Sequence, residues 1–459
     1  MDVRTHPTTG WRRALLGIAA LTALALGAAC SSDGDTTAAD AAATAAVTVA
    51  AAADTATAAT PAPAPEGYLV VADPAEERLY VYGLPGGDLL TDMDHVVLSA
   101  HTGTLVLPDG RFLYIDDHEH QLRVLDLKAE GGPRDAGSAA IPGDQAWSAV
   151  DPEGRYYAGS RRDDAKATIS VIDLATMQRA DIEIDAAGLN GEPHVALGGS
   201  PATVYAYIGG TLSSYFVADV MAGNTTPANT LEIGGGAHSQ VLARGTLYTS
   251  LPERLDAVKV NGVRFGERSE IPWNVDDREG GRNGRMRLSY DGGYIYGAVA
   301  ASVPAEEWAN RVNDVHIADL ATGEAKRFEL APGIVGRFSL SQPYALFYNI
   351  HPDGDAAYLL DVKPGSATFQ EIVARIPLEA LTDGPKAGES ASGKNARGGT
   401  ITPDGRWAFV SHGGDGRISI IDTATKAVVG SIETPTALRG GGYLASWTPG
   451  TPLMDAFGR

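Results

Sequence analysis

The chain has 459 residues, of which 44% are hydrophobic, 20% charged and 55 are glycine. This composition supports a sizeable core broken by many turns and argues against a long helical bundle. The net charge of -21 makes a surface that repels nucleic acid, and a single cysteine excludes a disulfide framework or a cysteine-cluster metal site.

The cysteine lies where its chemistry is informative. Arg12 and Arg13 precede an apolar run over residues 14–26, which is too short to span a bilayer and has the length of a signal-peptide core. The run ends in Leu26-Gly27-Ala28-Ala29-Cys30. This resembles the bacterial lipoprotein signal, in which cleavage leaves the cysteine as a diacylated N-terminus. The resemblance implies a signal peptide over residues 1–29 and an exported protein anchored by Cys30 to the outer face of a bacterial membrane. Plain secretion, or an ordinary buried thiol, is the alternative. Arg12-Arg13 followed by Leu15 and Leu16 also resembles a twin-arginine export signal, so the export route stays open between the two.

Residues 30–66 are almost entirely Ala, Thr, Asp, Ser and Pro, closing with Pro61-Ala62-Pro63-Ala64-Pro65. Such a segment cannot bury a core and is expected to be a disordered tether holding a folded domain clear of the membrane.

From residue 67 to 450 the signals repeat. Short apolar strands end in aspartate, as in Val124-Leu125-Asp126, Val171-Ile172-Asp173, Ile317-Ala318-Asp319, Leu359-Leu360-Asp361 and Ile420-Ile421-Asp422. Three continue into Asp-x-Ala-Thr, where the aspartate can bond the backbone two residues on. Upstream stands a second turn signal, Pro108-Asp109-Gly110-Arg111, Pro152-Glu153-Gly154-Arg155 or Pro403-Asp404-Gly405-Arg406. The unit is strand A, turn, strand B, loop, strand C, turn, strand D. A period of about 40–50 residues predicts an all-β fold, a β-propeller of four-stranded antiparallel blades. Eight blades are expected, with seven as the alternative. Residues 68–99 hold only three strands, so the strand near Gly442-Tyr443-Leu444-Ala445-Ser446-Trp447 is expected to complete the first blade and close the ring, leaving 451–459 as a tail.

Residues 101–127 and 397–423 resemble the YVTN-type repeats of bacterial β-propellers, with Phe409-Val410-Ser411-His412 in the place of the Tyr-Val-Thr-Asn motif. The resemblance implies architecture and no particular activity.

Seven residues before the turn prolines Pro108 and Pro201 stand His101 and His194, at equivalent starts of innermost strands, and His238 falls there if its turn is two residues shorter. The B–C loops, on the same face, hold Asp117-His118-Glu119-His120, His351 and His412, whereas His95 and His316 fall in outer strands. Inner strands of different blades point toward one axis, so imidazoles distant in sequence can converge on zinc. The expected metal set is His101, His194 and His238, with His118 and His120 as a local pair and Asp117 and Glu192 as further ligands or orienting groups. Strand-A histidines such as Pro193-His194-Val195 and Ala237-His238-Ser239 in an exported propeller resemble the periplasmic zinc-chaperone propellers that deliver metal to the solute-binding protein of an importer.

The sequence carries no Gly-x-Ser-x-Gly nucleophile signature, no phosphate loop and no thiol inside the repeats. Three readings are therefore ordered. The first is a lipid-anchored binding protein that binds or handles zinc. The second is a scaffold that meets a partner protein on the upper face, and the third is a propeller lactonase or hydrolase. For the third, Arg285, Arg337 and Arg397 near strand-A starts suit an anionic substrate or pair with acids. Long insertions at 274–285, 303–314 and 378–395 fall on the same upper face.

Overall fold

The aspartates that end the repeated strands fold the turns as their spacing predicts. Asp173 Oδ1 accepts the N–H of Ala175 at 2.9 Å and of Thr176 at 3.0 Å, and Asp319 and Asp422 repeat the pattern on Ala321 and Ala424, both at 2.8 Å. In the A–B turns Asp109 and Asp404 take the N–H of Arg111 and Arg406. The glycines between them, Gly110 and Gly405, adopt φ of 93° and 74°, a region costly for a side chain with a Cβ.

The computed structural model describes residues 65–450, apart from 100–103, 144, 146, 164, 188–190, 192, 277 and 279, together with 457–458. Cys30, the signal segment and the tether up to Ala64 lie outside the described residues. Among the described residues no helix is long and apolar enough to cross a membrane.

Eight four-stranded antiparallel sheets form the blades of a β-propeller. Blade 1 combines Gly67–Asp73, Arg78–Leu84 and Asp88–Asp94 with the C-terminal strand Tyr443–Trp447 as its innermost member. Tyr68 pairs with Trp447 and Ala72 with Tyr443, so the ring is closed by joining the two ends of the folded chain. The innermost strands of blades 2 to 8 begin at Thr104, Trp147, His194, Ser239, Arg282, Ile334 and Gly399. Blade 3 gains a short fifth strand, Phe457–Gly458, against Trp147–Val150.

The strands read as continuous apolar runs because both faces of a blade are covered by its neighbours. In Gly67–Asp73, Val70 and Ala72 pack with Phe112, Tyr114 and Leu125 of blade 2. Leu69 and Val71 turn the other way, to Phe409 and Ile418 of blade 8.

Residues 194–272 hold two complete blades. Blade 4 interrupts its outer edge with the helix Val217–Met221 before the short strand Asn229–Glu232, and blade 5 runs from Ser239–Ala243 to Arg264–Pro272. Two of the long insertions pack on each other. Trp308, in the insertion between strands B and C of blade 6, is buried and donates its indole N–H to Glu389 O at 3.0 Å in the insertion that precedes blade 8.

Candidate functional site

His194 is the first residue of the innermost strand of blade 4, and His238 immediately precedes that of blade 5. Strand pairing fixes both. His194 lies opposite Tyr207, and the His238 N–H donates to Ser250 O at 2.9 Å. Trp147, the first residue of the innermost strand of blade 3, packs its ring 4.3 Å from His194 and, edge-on, 5.6 Å from His238. The two imidazole centroids are 6.4 Å apart, with His194 buried and His238 half-buried. Three consecutive blades thus bring the starts of their inner strands to one place, as expected near a common axis.

That separation bears on metal binding. With zinc–nitrogen bonds of about 2.0–2.1 Å and tetrahedral angles, two imidazoles on one ion hold their centroids about 5 Å apart. The pair needs to close by roughly 1 Å, within the reach of rotation about the histidine side-chain torsions. The donors are nitrogen and the aromatic wall is apolar, a combination that suits zinc better than magnesium or calcium.

The other predicted ligands are placed differently. His101 and Glu192 lie outside the described residues; strand A of blade 2 begins three residues beyond His101, at Thr104. His118 and His120 are exposed on the B–C turn of blade 2 beside half-buried Asp117, with His118 Nε2 3.7 Å from a carboxylate oxygen of Glu119. Among the described residues no group of three or more His, Cys, Asp or Glu side chains is arranged to hold a metal ion. His351 follows strand B of blade 7, where its ring Nδ1 accepts the Asp353 N–H at 3.2 Å.

Two histidines are structural. His316, in strand C of blade 6, is fully buried, donates from Nε2 to Pro272 O at 3.0 Å and meets Trp273 edge-on at 4.4 Å. His412, the last residue of strand B of blade 8, is buried against Ser419 Oγ at 2.7 Å. Burial disfavours the imidazolium and pushes the pKa of each down to about 4.

On the other side of the channel the inner strands carry arginine. Arg285 lies in strand A of blade 6 and Arg337 between the two short inner segments of blade 7, its guanidinium 5.1 Å from the Tyr443 ring centroid. Arg397 precedes strand A of blade 8 and is locked to Asp355, with Nε at 2.9 Å and Nη2 at 2.5 Å from one carboxylate oxygen. Arg287, two residues after Arg285, also faces the channel. Strand A of blade 6 begins at Arg282, earlier than the turn spacing suggested, so Arg285 and Arg287 both sit inside it, and Arg287 fell beyond the position read as the strand start.

No protein-family profile matches the chain, and no curated protein matches it. Among solved structures the chain is similar to apo AztD from Citrobacter koseri, with a TM-score of 0.59 and 11% identity over 84% of this chain and 99% of that one. A second Citrobacter koseri AztD structure gives 0.60 and 10% identity over 83% and 98%. The dihydro-heme d1 dehydrogenase NirN, in complex with DHE, gives 0.57 and 14% identity over 83% of this chain and 75% of that one. What is shared is the ring of blades. At these identities the likeness establishes the fold, and function has to be argued from the site.

Proposed function

We propose that the protein is an exported, lipid-anchored β-propeller that binds zinc, as a ligand to be held or handed on, through the inner-strand histidines His194 and His238 with His101 as the third donor. The observation that carries this reading is the meeting of the His194 and His238 rings, 6.4 Å apart, beside Trp147. Imidazole nitrogen is a strong zinc donor, and a partly buried aromatic wall limits competition from water. The docked insertions joined by Trp308 give the upper face a fixed surface for a partner protein. Cys30 supplies the anchor, and the Ala/Thr/Pro segment after it holds the ring off the lipid surface. Elemental analysis of the purified domain from Glu66 onward, beside a zinc titration, tests the reading. Stoichiometric zinc supports it. A folded, metal-free protein that takes up no zinc would leave the scaffold as the better account.

A further inference from the structure

The innermost strand of each blade turns one edge of its backbone toward the channel. Among the described residues, blade 3 is the blade that carries a further strand on that edge. Phe457 pairs with Ala149 and Gly458 with Ser148, antiparallel. Strand A of blade 3 runs down from Trp147 at the upper face, so the added strand rises through the channel toward Trp147 and the histidines packed against it. Its backbone also lies close to Thr104–Val106, the inner strand of blade 2.

This pairing differs from those that build the blades, which join strands consecutive in the chain or, at the closing seam, its two ends. Tyr443–Trp447 belongs to blade 1, two blades round the ring, and completes that blade without help from residues 457–458. The short strand is therefore docked on an edge that is already finished. The edge suits a close approach of backbone: Ser148 and Ala149 are small and buried, and glycine stands opposite Ser148. Recognition through main-chain groups is how an extended peptide adds to the edge of a sheet. Only two of the four residues of Trp147–Val150 are paired in this way. A two-residue strand makes few hydrogen bonds and keeps its place through its covalent link, which acts as a high local concentration. A longer extended segment can pair along more of the same edge and replace it.

We propose that the inner edge of blade 3 is a peptide-binding site for an extended segment of a partner protein, and that residues 457–458 are its resident occupant. The segment that fits is uncharged at both paired positions and small where it meets Ser148, as Phe457-Gly458 is. Seated there it runs to Trp147 and so stands beside the His194–His238 pair. The peptide site itself requires no metal.

The probe is a fluorescently labelled peptide, Leu453-Met454-Asp455-Ala456-Phe457-Gly458-Arg459, followed by anisotropy in metal-free protein. Two variants vacate the edge: a chain ending at Asp455, and a full chain with Phe457→Pro and Gly458→Pro, which has no amide left to pair at either position. Both keep the closing strand and are expected to unfold as cooperatively as the parent. Both are expected to bind the peptide saturably and at least tenfold more tightly than the parent does. A peptide with proline at the same two positions should not bind. In hydrogen exchange the amides of Trp147–Val150 should lose protection in the vacated proteins and regain it with the peptide. Equal peptide affinity in parent and vacated proteins, or no saturable binding by the folded vacated proteins, would overturn the proposal.

Discussion

Tyr68 and Trp447 stack with their ring centroids 5.8 Å apart, one in the first strand of the propeller and the other in the last residue of its closing strand. Trp447 is also tied to blade 2, donating its indole N–H to Pro108 O at 3.4 Å beneath the Lys128 ammonium. One side chain therefore bridges the seam at which the ring closes.

A chain ending at Arg439 loses strand Tyr443–Trp447 and leaves the whole inner edge of Gly67–Asp73 unpaired. Such an edge invites association with other chains. The truncated protein is expected to unfold without a sharp transition and to aggregate, which light scattering and calorimetry would show. Trp447→Ala, which keeps the strand, is expected to cost about 3 kcal/mol in chemical denaturation. An unchanged melting profile for the truncated, monomeric protein would contradict closure at this seam.

The Arg397–Asp355 pair is buried at both ends, with side-chain exposures of 0% and 5%. Removing one partner strands a charge where water cannot reach it. Asp355→Ala is expected to destabilise by about 3–5 kcal/mol, and the double replacement Asp355→Leu with Arg397→Met by less than that single change. A loss under about 1 kcal/mol for Asp355→Ala would mean that the pair behaves like a solvated one.

His316 and His412 give the protein a pH dependence of definite sign. For both, burial is the main cause of the depressed pKa; Arg327 adds to it at His316, opposed by the Pro272 carbonyl and Asp276. Arg397 and Arg417 add to it at His412, opposed by Asp415 and Glu379. Both histidines stay neutral in the fold down to about pH 4, whereas in the unfolded chain they take up a proton near pH 6.5. Stability is therefore flat above about pH 6.5 and falls as pH drops toward 4, by roughly 3 kcal/mol per histidine over the whole interval. Urea midpoints of metal-free protein between about pH 6.5 and 5 should fall steadily, and His412→Asn should reduce the slope. A flat midpoint across that window would show that these rings are protonated in the fold.

The lone thiol carries its own test. The mature chain is expected to begin at Cys30 bearing multiple acyl chains, since one chain anchors only marginally. Intact mass spectrometry of the membrane fraction decides it. An N-terminus upstream of Cys30, or an unmodified cysteine, contradicts the anchor.

The blades were legible because their turns use local chemistry. Asp173, Asp319 and Asp422 fold the same turn from the same neighbours, and nothing distant is required. Closure by residues 443–447 was legible for a related reason: an incomplete first blade needs a strand from elsewhere. His194 and His238 could be found by counting back from turn positions, but Trp147 beside them could not, since an aromatic residue at a strand start reads as ordinary core. The arginines of the channel were half legible. Arg285, Arg337 and Arg397 were expected near strand starts, but Arg285 is the fourth residue of Arg282–Leu288 and Arg337 lies between the two inner segments of blade 7; Gly336 and Gly399, which in sequence look like further turn signals, make room for the Tyr348 ring. His316 shows the opposite failure: its outer-strand position is visible, but its burial against Trp273 is not. Its replacement would damage the core, which makes it a poor control for metal binding.

His95 is the better control, exposed after the outer strand of blade 1 at φ 57°, a conformation asparagine also accepts. The most direct measurement is a zinc titration of metal-free parent beside His101→Ala, His194→Ala, His238→Ala and His95→Asn. The parent is expected to take up one zinc, each of the three alanine variants to bind about a hundredfold more weakly or worse, and His95→Asn to match the parent. Equal zinc affinity in all five proteins, or no uptake by the folded parent, would contradict the assignment of these histidines to a metal site.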